Sequence, residues 1–138
     1  MILGIGIDSV SIRRFSKWYL FSYRQLNRIF SPQEISYCLS ESCISAQRFA
    51  VRFAAREALL KALNHGVLSN VPLLTVCKAV SITHNKHNAP IMQIDWHLLT
   101  EPLTTAPINT ISPLISLTHS DSIATAVVLL QHSYHDTN

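Results

Sequence analysis

Charged side chains are scarce in this chain of 138 residues, making up 14% of it, where an ordinary soluble domain has roughly 25%. Apolar residues make up 48%, enough for a core, and so little charge suggests apolar surface hidden in an oligomer. Cysteine is limited to Cys38, Cys43 and Cys77, an odd count without C-x-x-C spacing. That argues against a disulfide framework or a zinc site and for a reducing compartment. The apolar run from Met1 to Ile7 has no basic segment before it and stops at Asp8. It is too short for a leader's apolar region or a membrane span, so it reads as a buried first strand, and a cytoplasmic protein with no membrane partner is expected. Internal repeats, linkers and low-complexity tracts are also missing. Residues 1–138 are therefore expected to form one domain, with a frayed polar tail after Gln131. Gly4-x-Gly6-x-x-Ser9 lacks the third glycine of a dinucleotide fingerprint, and no βαβ unit follows it.

The chain has a net charge of +3, which suits an acidic partner: nucleic acid, an acidic protein or a phosphorylated cofactor. Charge alone does not choose among them. Ile2 to Ile7 reads as a strand with glycines on one face. Ile12 to Ile29 reads as a helix, interrupted in places, with basic residues Arg13, Arg14, Lys17, Arg24 and Arg28 among aromatic and aliphatic ones. Ser31-Pro32-Gln33-Glu34 is a helix start with a capping box and proline at the first position, and that helix should end between Cys38 and Ser40. Ser45 to Leu63 has no Gly or Pro and reads as a long helix stopped by Gly66. On it Ala50, Ala54, Glu57 and Lys61 share a face, with Arg48 and Arg52 roughly opposite. Thr75–Thr83 and Ile91–Trp96 read as strands, prolines break the stretch from His97 to Ser112, and Leu114–Thr118 with Ile123–Leu130 reads as a closing hairpin. The expected class is α+β, with a long helix packed on a mainly antiparallel sheet.

Three places could carry chemistry, and each has a plainer reading. Asp8, ending a glycine-containing strand, could bind a hard cation such as Mg²⁺, or could simply cap a turn. Glu57 and Lys61 could serve a metal and a phosphate, or form an ordinary i,i+4 surface pair; alanines, not further charges, surround them. His119, where a strand meets a turn, could donate to a phosphate or be a satisfied turn histidine. His84-x-x-His87 and His132-x-x-His135 read as loop and tail histidines, not as metal ligands.

Taken in order, these segments resemble three signatures of the holo-acyl-carrier-protein synthase family of phosphopantetheinyl transferases. The first is Gly4-Ile5-Gly6-Ile7-Asp8 with Arg14 six residues on. The second runs from Arg48-Phe49-Ala50 through Arg56-Glu57-Ala58 to Lys61-Ala62. The third is Ser116-Leu117-Thr118-His119 followed by Ala124 and Ala126. The resemblance implies a single-domain 4'-phosphopantetheinyl transferase fold. It also implies transfer of the phosphopantetheine arm of coenzyme A to a serine of apo acyl carrier protein, for fatty acid biosynthesis. Asp8 and Glu57 would hold Mg²⁺ on the pyrophosphate, and Glu57 and Lys61 would be catalytic. Arg52, Arg56, Lys61, Gly66 and His119 would contact coenzyme A, His119 from a neighbouring subunit of a homotrimer. Arg14, Arg24 and Arg28 would dock the acidic carrier protein.

The chain departs from the family pattern at Arg56 in place of lysine, at Asn64-His65-Gly66 with one glycine in the turn, at Asn88-Ala89-Pro90, at Thr118 for serine and at Val10. These changes bear on the coenzyme A pocket more than on the reaction. A nucleic-acid-binding module using Arg13, Arg14, Lys17, Arg24 and Arg28 is the rival from another class, and it leaves the three ordered motifs unexplained; the reading adopted has no nucleic acid partner. A member that keeps the fold without activity is the third possibility.

Overall fold

The computed structural model describes residues 1–99 and 110–133. Strand β1 (Ile2–Ser11) lies at one edge of an antiparallel three-stranded sheet in the order β1-β5-β4, where β4 is Ile111–His119 and β5 is Ile123–His132. Asp8 pairs with Ala126 and Val10 with Ala124, while Ala126 pairs on its other side with Leu117. Side chains alternate across a strand, so Gly4, Gly6, Asp8 and Val10 share the face that Ala124, Ala126, Val128 and Leu130 present to the long helix α3 (Ser45–Leu63). Ala54, Ala58 and Ala62 of α3 and Ala124 and Ala126 of β5 are fully buried.

The two strand glycines have a steric cause. A Cβ on Gly4 would overlap the backbone carbonyl of Ala62, and one on Gly6 the carbonyl of Ala58. Their bare backbone lets β1 lie directly against α3, and that approach carries Asp8 to the level of Glu57 and Lys61. The opposite sheet face stays open: Ile5, Ile7 and Leu114 are 51%, 59% and 53% exposed.

Against Phe49 and Phe53 of α3 an aromatic cluster forms around Trp18, which meets Phe15, Phe21, Phe30, Phe49 and Phe53 at centroid distances of 4.5–6.2 Å. Here the interrupted helix expected over 12–29 is a set of short pieces: 3-10 turns at Ile12–Phe15 and Trp18–Leu20, then α1 (Tyr23–Leu26). Phe15 and Trp18, three residues apart, both pack on α3, Phe15 on Phe53 and Trp18 on Phe49 and Phe53. Helix α2 (Pro32–Leu39) starts at the anticipated capping box, with Ser31 N donating to Glu34 Oε2 at 2.9 Å.

Two expected strands need correction. Thr75–Ala79 belongs to helix α4 (Leu73–Ala79), which follows Pro72, and only Val80–His84 forms the strand β2. β2 pairs with β3 (Pro90–Ile94) in a separate two-stranded sheet. Trp96, expected in that strand, instead opens the one-turn helix α5 (Trp96–Leu99), after Asp95 Oδ1 accepts from His97 N at 3.1 Å. The closing hairpin is present and longer than expected. The proline-broken stretch lies mostly outside the described residues, as does the tail beyond residue 133. The α+β class, with a long helix on an antiparallel sheet, stands.

Candidate active site

Three of the anticipated residues come together where β1 crosses α3. Lys61 Nζ donates to Asp8 Oδ1 at 3.0 Å and to the Ile7 carbonyl at 2.9 Å. The Asp8 side chain is 10% exposed, the Lys61 side chain 55%. Glu57 sits one turn before Lys61 and close enough to Asp8 for the two carboxyl groups to interact. Burial pushes the Glu57 carboxyl above its ordinary pKa, and the negative charge of Asp8 raises it further; Arg14 and Lys61 pull it back. Two carboxylates this close cannot both ionise freely without a proton or a cation between them.

One oxygen shows that the arrangement is incomplete. Asp8 Oδ2 is buried and has no hydrogen-bond donor, a costly state for a carboxylate oxygen. A divalent cation would satisfy it, so the donors fit such an ion: two hard carboxylate oxygens, with the rest of the shell from water and ligand phosphate, as Mg²⁺ prefers. Among the described residues no three His, Cys, Asp or Glu side chains gather in one group. Val10, on the same face as Asp8, is buried against the core, so it adds no oxygen ligand.

Arg52 and Arg56, expected at the cofactor, lie apart from Asp8, Glu57 and Lys61 within this chain and are buried against Glu34 and Tyr37. Arg56 is fully buried. Its Nη1 and Nη2 donate to Glu34 Oε1 and Oε2 at 2.9 and 2.7 Å, and Nη2 also donates to the Val80 carbonyl at 2.9 Å. Arg52 is 3% exposed, donates to the Arg48 carbonyl at 3.2 Å and stacks on Tyr37 with its guanidinium carbon 4.5 Å from the ring centroid. Its Nε is 4.0 Å from Glu34 Oε1, an attraction across a gap too long for a hydrogen bond. Arg56 and Glu57 are neighbours in sequence, but the helix turns about 100° between them, so one points inward and the other toward β1.

His119 ends β4, where Gln47 Nε2 lies 2.8 Å from its Nε2, a bond that needs this ring nitrogen unprotonated. Gln47 precedes Glu57 by ten residues, about 15 Å along the helix, so within one chain His119 stands apart from the carboxylates. Gly66 has φ +108° with open space around it, two residues beyond the C-cap Asn64 of α3. Arg14, Arg24 and Arg28 are all exposed. Beside them is a surface that the sequence reading passed over: Tyr19, Leu20, Phe21 and Tyr23 are 41–67% exposed. Its signal was present in the run Trp18-Tyr19-Leu20-Phe21, but a continuous helix would have turned part of it inward. Burial pushes the Cys38 and Cys77 thiols up to about 12 and about 11, so neither is a nucleophile at neutral pH. A cavity of about 540 Å³, lined by residues including Asn27, Ser31, Lys78 and Asp95, includes none of Asp8, Glu57, Lys61 or His119.

Comparison with known proteins converges on one family. Residues 4–112 match the family model of the 4'-phosphopantetheinyl transferase superfamily. The chain is similar to the holo-[acyl-carrier-protein] synthase of Treponema denticola, 37% identical over 131 residues that cover 95% of this chain and 99% of the relative. It is also similar to that of Syntrophus aciditrophicus, 36% identical over 132 residues and covering 95% and 97%. Among solved structures it resembles holo-[acyl-carrier-protein] synthase from Helicobacter pylori in complex with coenzyme A, with a TM-score of 0.67, 30% identity and coverage of 92% of this chain and 99% of that one.

Proposed function

This chain belongs to the 4'-phosphopantetheinyl transferase superfamily, and from that premise we propose that it moves the 4'-phosphopantetheine group of coenzyme A onto a serine of apo acyl carrier protein. The products are holo acyl carrier protein and adenosine 3',5'-bisphosphate, and the reaction serves fatty acid biosynthesis. The whole chain acts as one transferase domain. The observation that carries this reading is the Asp8–Glu57 pair beside Lys61, with Asp8 Oδ2 buried and lacking a donor.

Asp8 and Glu57 would hold Mg²⁺, which when bound supplies positive charge to the pyrophosphate oxygens. Lys61 orients Asp8 through its 3.0 Å bond, and its exposed ammonium can reach a phosphate oxygen. Glu57, whose carboxyl is shifted upward by burial and by Asp8, is the group placed to take the serine proton. The serine oxygen forms its bond to the β-phosphorus as the bond to adenosine 3',5'-bisphosphate breaks, and the leaving group carries away that electron pair. Such transfers depend mainly on positioning and on neutralising charge. Gly66, at the end of α3, lines the coenzyme side.

Arg24, Arg28 and the exposed Tyr19–Tyr23 strip offer a basic and apolar surface to an acidic carrier protein, with Arg14 at its inner boundary. The open sheet face of Ile5, Ile7 and Leu114 supports a homotrimer, and the separation of His119 from the carboxylates of its own chain supports its acting on coenzyme A in a neighbouring subunit. A cytoplasmic location accords with three free thiols. Among the described residues no helix is long and apolar enough to cross a membrane.

The test is mass spectrometry of apo acyl carrier protein incubated with this protein, coenzyme A and Mg²⁺. A gain of one phosphopantetheine, abolished by EDTA, is expected. Absence of any gain with several carrier proteins would leave a fold without this activity.

A further inference from the structure

Arg14 differs from the other exposed basic residues near it. Its guanidinium carbon lies 4.9 Å from the centroid of the Phe53 ring and 5.6 Å from that of Phe15. Phe53 is one turn of α3 before Glu57, so the two side chains are stacked on one face. The ring therefore holds the Arg14 cation one helical turn from Glu57. Among the described residues Arg14 makes no ion pair and no hydrogen bond, while Lys61, the other cation at this site, is bonded to Asp8 and the Ile7 carbonyl. Arg14 is thus a positioned cation whose guanidinium donors have no partner among the described residues.

Charge points to what those donors would bind. A divalent cation between Asp8 and Glu57 cancels the two carboxylates and leaves the site with the charges of Lys61 and Arg14. The pyrophosphate diester of coenzyme A carries two negative charges, which these two side chains match. Without Arg14 one negative charge on the bound pyrophosphate has no counterpart, and guanidinium is the group best shaped to grip phosphate oxygens with two parallel bonds.

We infer that Arg14 binds the pyrophosphate of coenzyme A directly, so that it belongs to the transfer site and not only to the carrier-docking surface. The inference rests on the coenzyme A reading above. Arg24 and Arg28 lie on and just after the short α1 and are not held at the carboxylates, so they remain docking residues.

Coenzyme A is titrated into the full-length protein with Mg²⁺ and no carrier protein, and heat of binding is followed for wild type, Arg14→Ala, Arg14→Lys and Arg24→Ala. Arg14→Ala should weaken binding roughly ten- to a hundredfold, the range for a charge-assisted hydrogen bond. Arg14→Lys should recover part of that, and Arg24→Ala should bind as wild type does. Thermal melting shows whether each variant is folded. Folded Arg14→Ala that binds coenzyme A like wild type would overturn the inference and return Arg14 to docking alone. A loss of equal size in Arg24→Ala would overturn it too, because the effect would then be general surface charge. Wild type that binds no coenzyme A would remove the functional reading itself, a result distinct from both.

Discussion

Helix α3 carries two ionic clusters on neighbouring faces, and they are built in opposite ways. Around Arg56 both oxygens of the partner carboxylate are taken up, and only the guanidinium Nε lacks a partner. The guanidinium is fully buried, holds both oxygens of Glu34 and takes the Val80 carbonyl as well, while Glu34 also caps α2 through Ser31 N. One ion pair thereby ties α2, α3 and β2 together. Around Glu57 the arrangement is open. Asp8 has one oxygen bonded to Lys61 and the other buried without a donor, Glu57 is held above its ordinary pKa, and Arg14 rests on Phe53 with donors that have no partner among the described residues. A buried pair joined by two charge-assisted hydrogen bonds stabilises one structure, even with Arg56 Nε left without a partner; two carboxylates left short of positive charge are a place for a ligand to complete.

Mutations should separate the two clusters by what they damage. Asp8→Ala and Glu57→Ala should each lower the transfer rate by about 10²- to 10³-fold, as does loss of one preorganised charge-stabilising group, with the melting temperature unchanged or higher. Single-turnover transfer assays beside thermal melts would show it, and a variant that keeps full rate would remove that residue from the site. Glu34→Ala should do the reverse. Leaving Arg56 buried without its partner should cost about 3–5 kcal/mol in denaturant unfolding, while whatever stays folded keeps the wild-type KM for coenzyme A.

Gly6→Ala tests the steric link between fold and site. Its Cβ would meet the Ala58 carbonyl, and forcing a methyl group into packed structure costs about 1–3 kcal/mol. Unlike Glu34→Ala it should also weaken coenzyme A binding in the folded fraction, because β1 carries Asp8.

The smallest effect is on pH dependence. The Glu57 carboxyl has a folded-state pKa above its ordinary value of 4.5, so the folded protein holds that proton more tightly than the unfolded chain. Its contribution is fully present below the ordinary value and is lost as pH rises toward the folded one. Metal-free protein should therefore melt at a lower temperature at neutral pH than in mild acid, relative to Glu57→Gln, which lacks the slope. Mg²⁺ should stabilise wild type most at neutral pH. Parallel pH profiles for the two proteins in EDTA would contradict this.

The open cluster was more legible in the sequence than the closed one. Gly4, Gly6 and Asp8 stand in one local pattern and Glu57 and Lys61 in another, the family resemblance implies that the two meet, and the structure supplies the reason in the contact of β1 with α3. Arg56 could not be read that way. Its partner Glu34 lies 22 residues earlier and also satisfies a capping box, which accounts for it without Arg56. The segment 75–79 reads as strand because a short apolar run containing Thr75 and Val76 fits either period, and only packing against α3 decides. The exposed strip from Tyr19 to Tyr23 depended on breaks in the chain around Trp18 that no local pattern marks.

The claim that Asp8 and Glu57 form a site awaiting a cation is tested most directly by titrating Mn²⁺ into the protein with coenzyme A present and following free Mn²⁺ by electron paramagnetic resonance. Wild type and Glu34→Gln should both deplete the free signal, and Asp8→Asn and Glu57→Gln should not. Equal depletion by wild type and the two site variants would contradict the account, since the cation would then be held elsewhere.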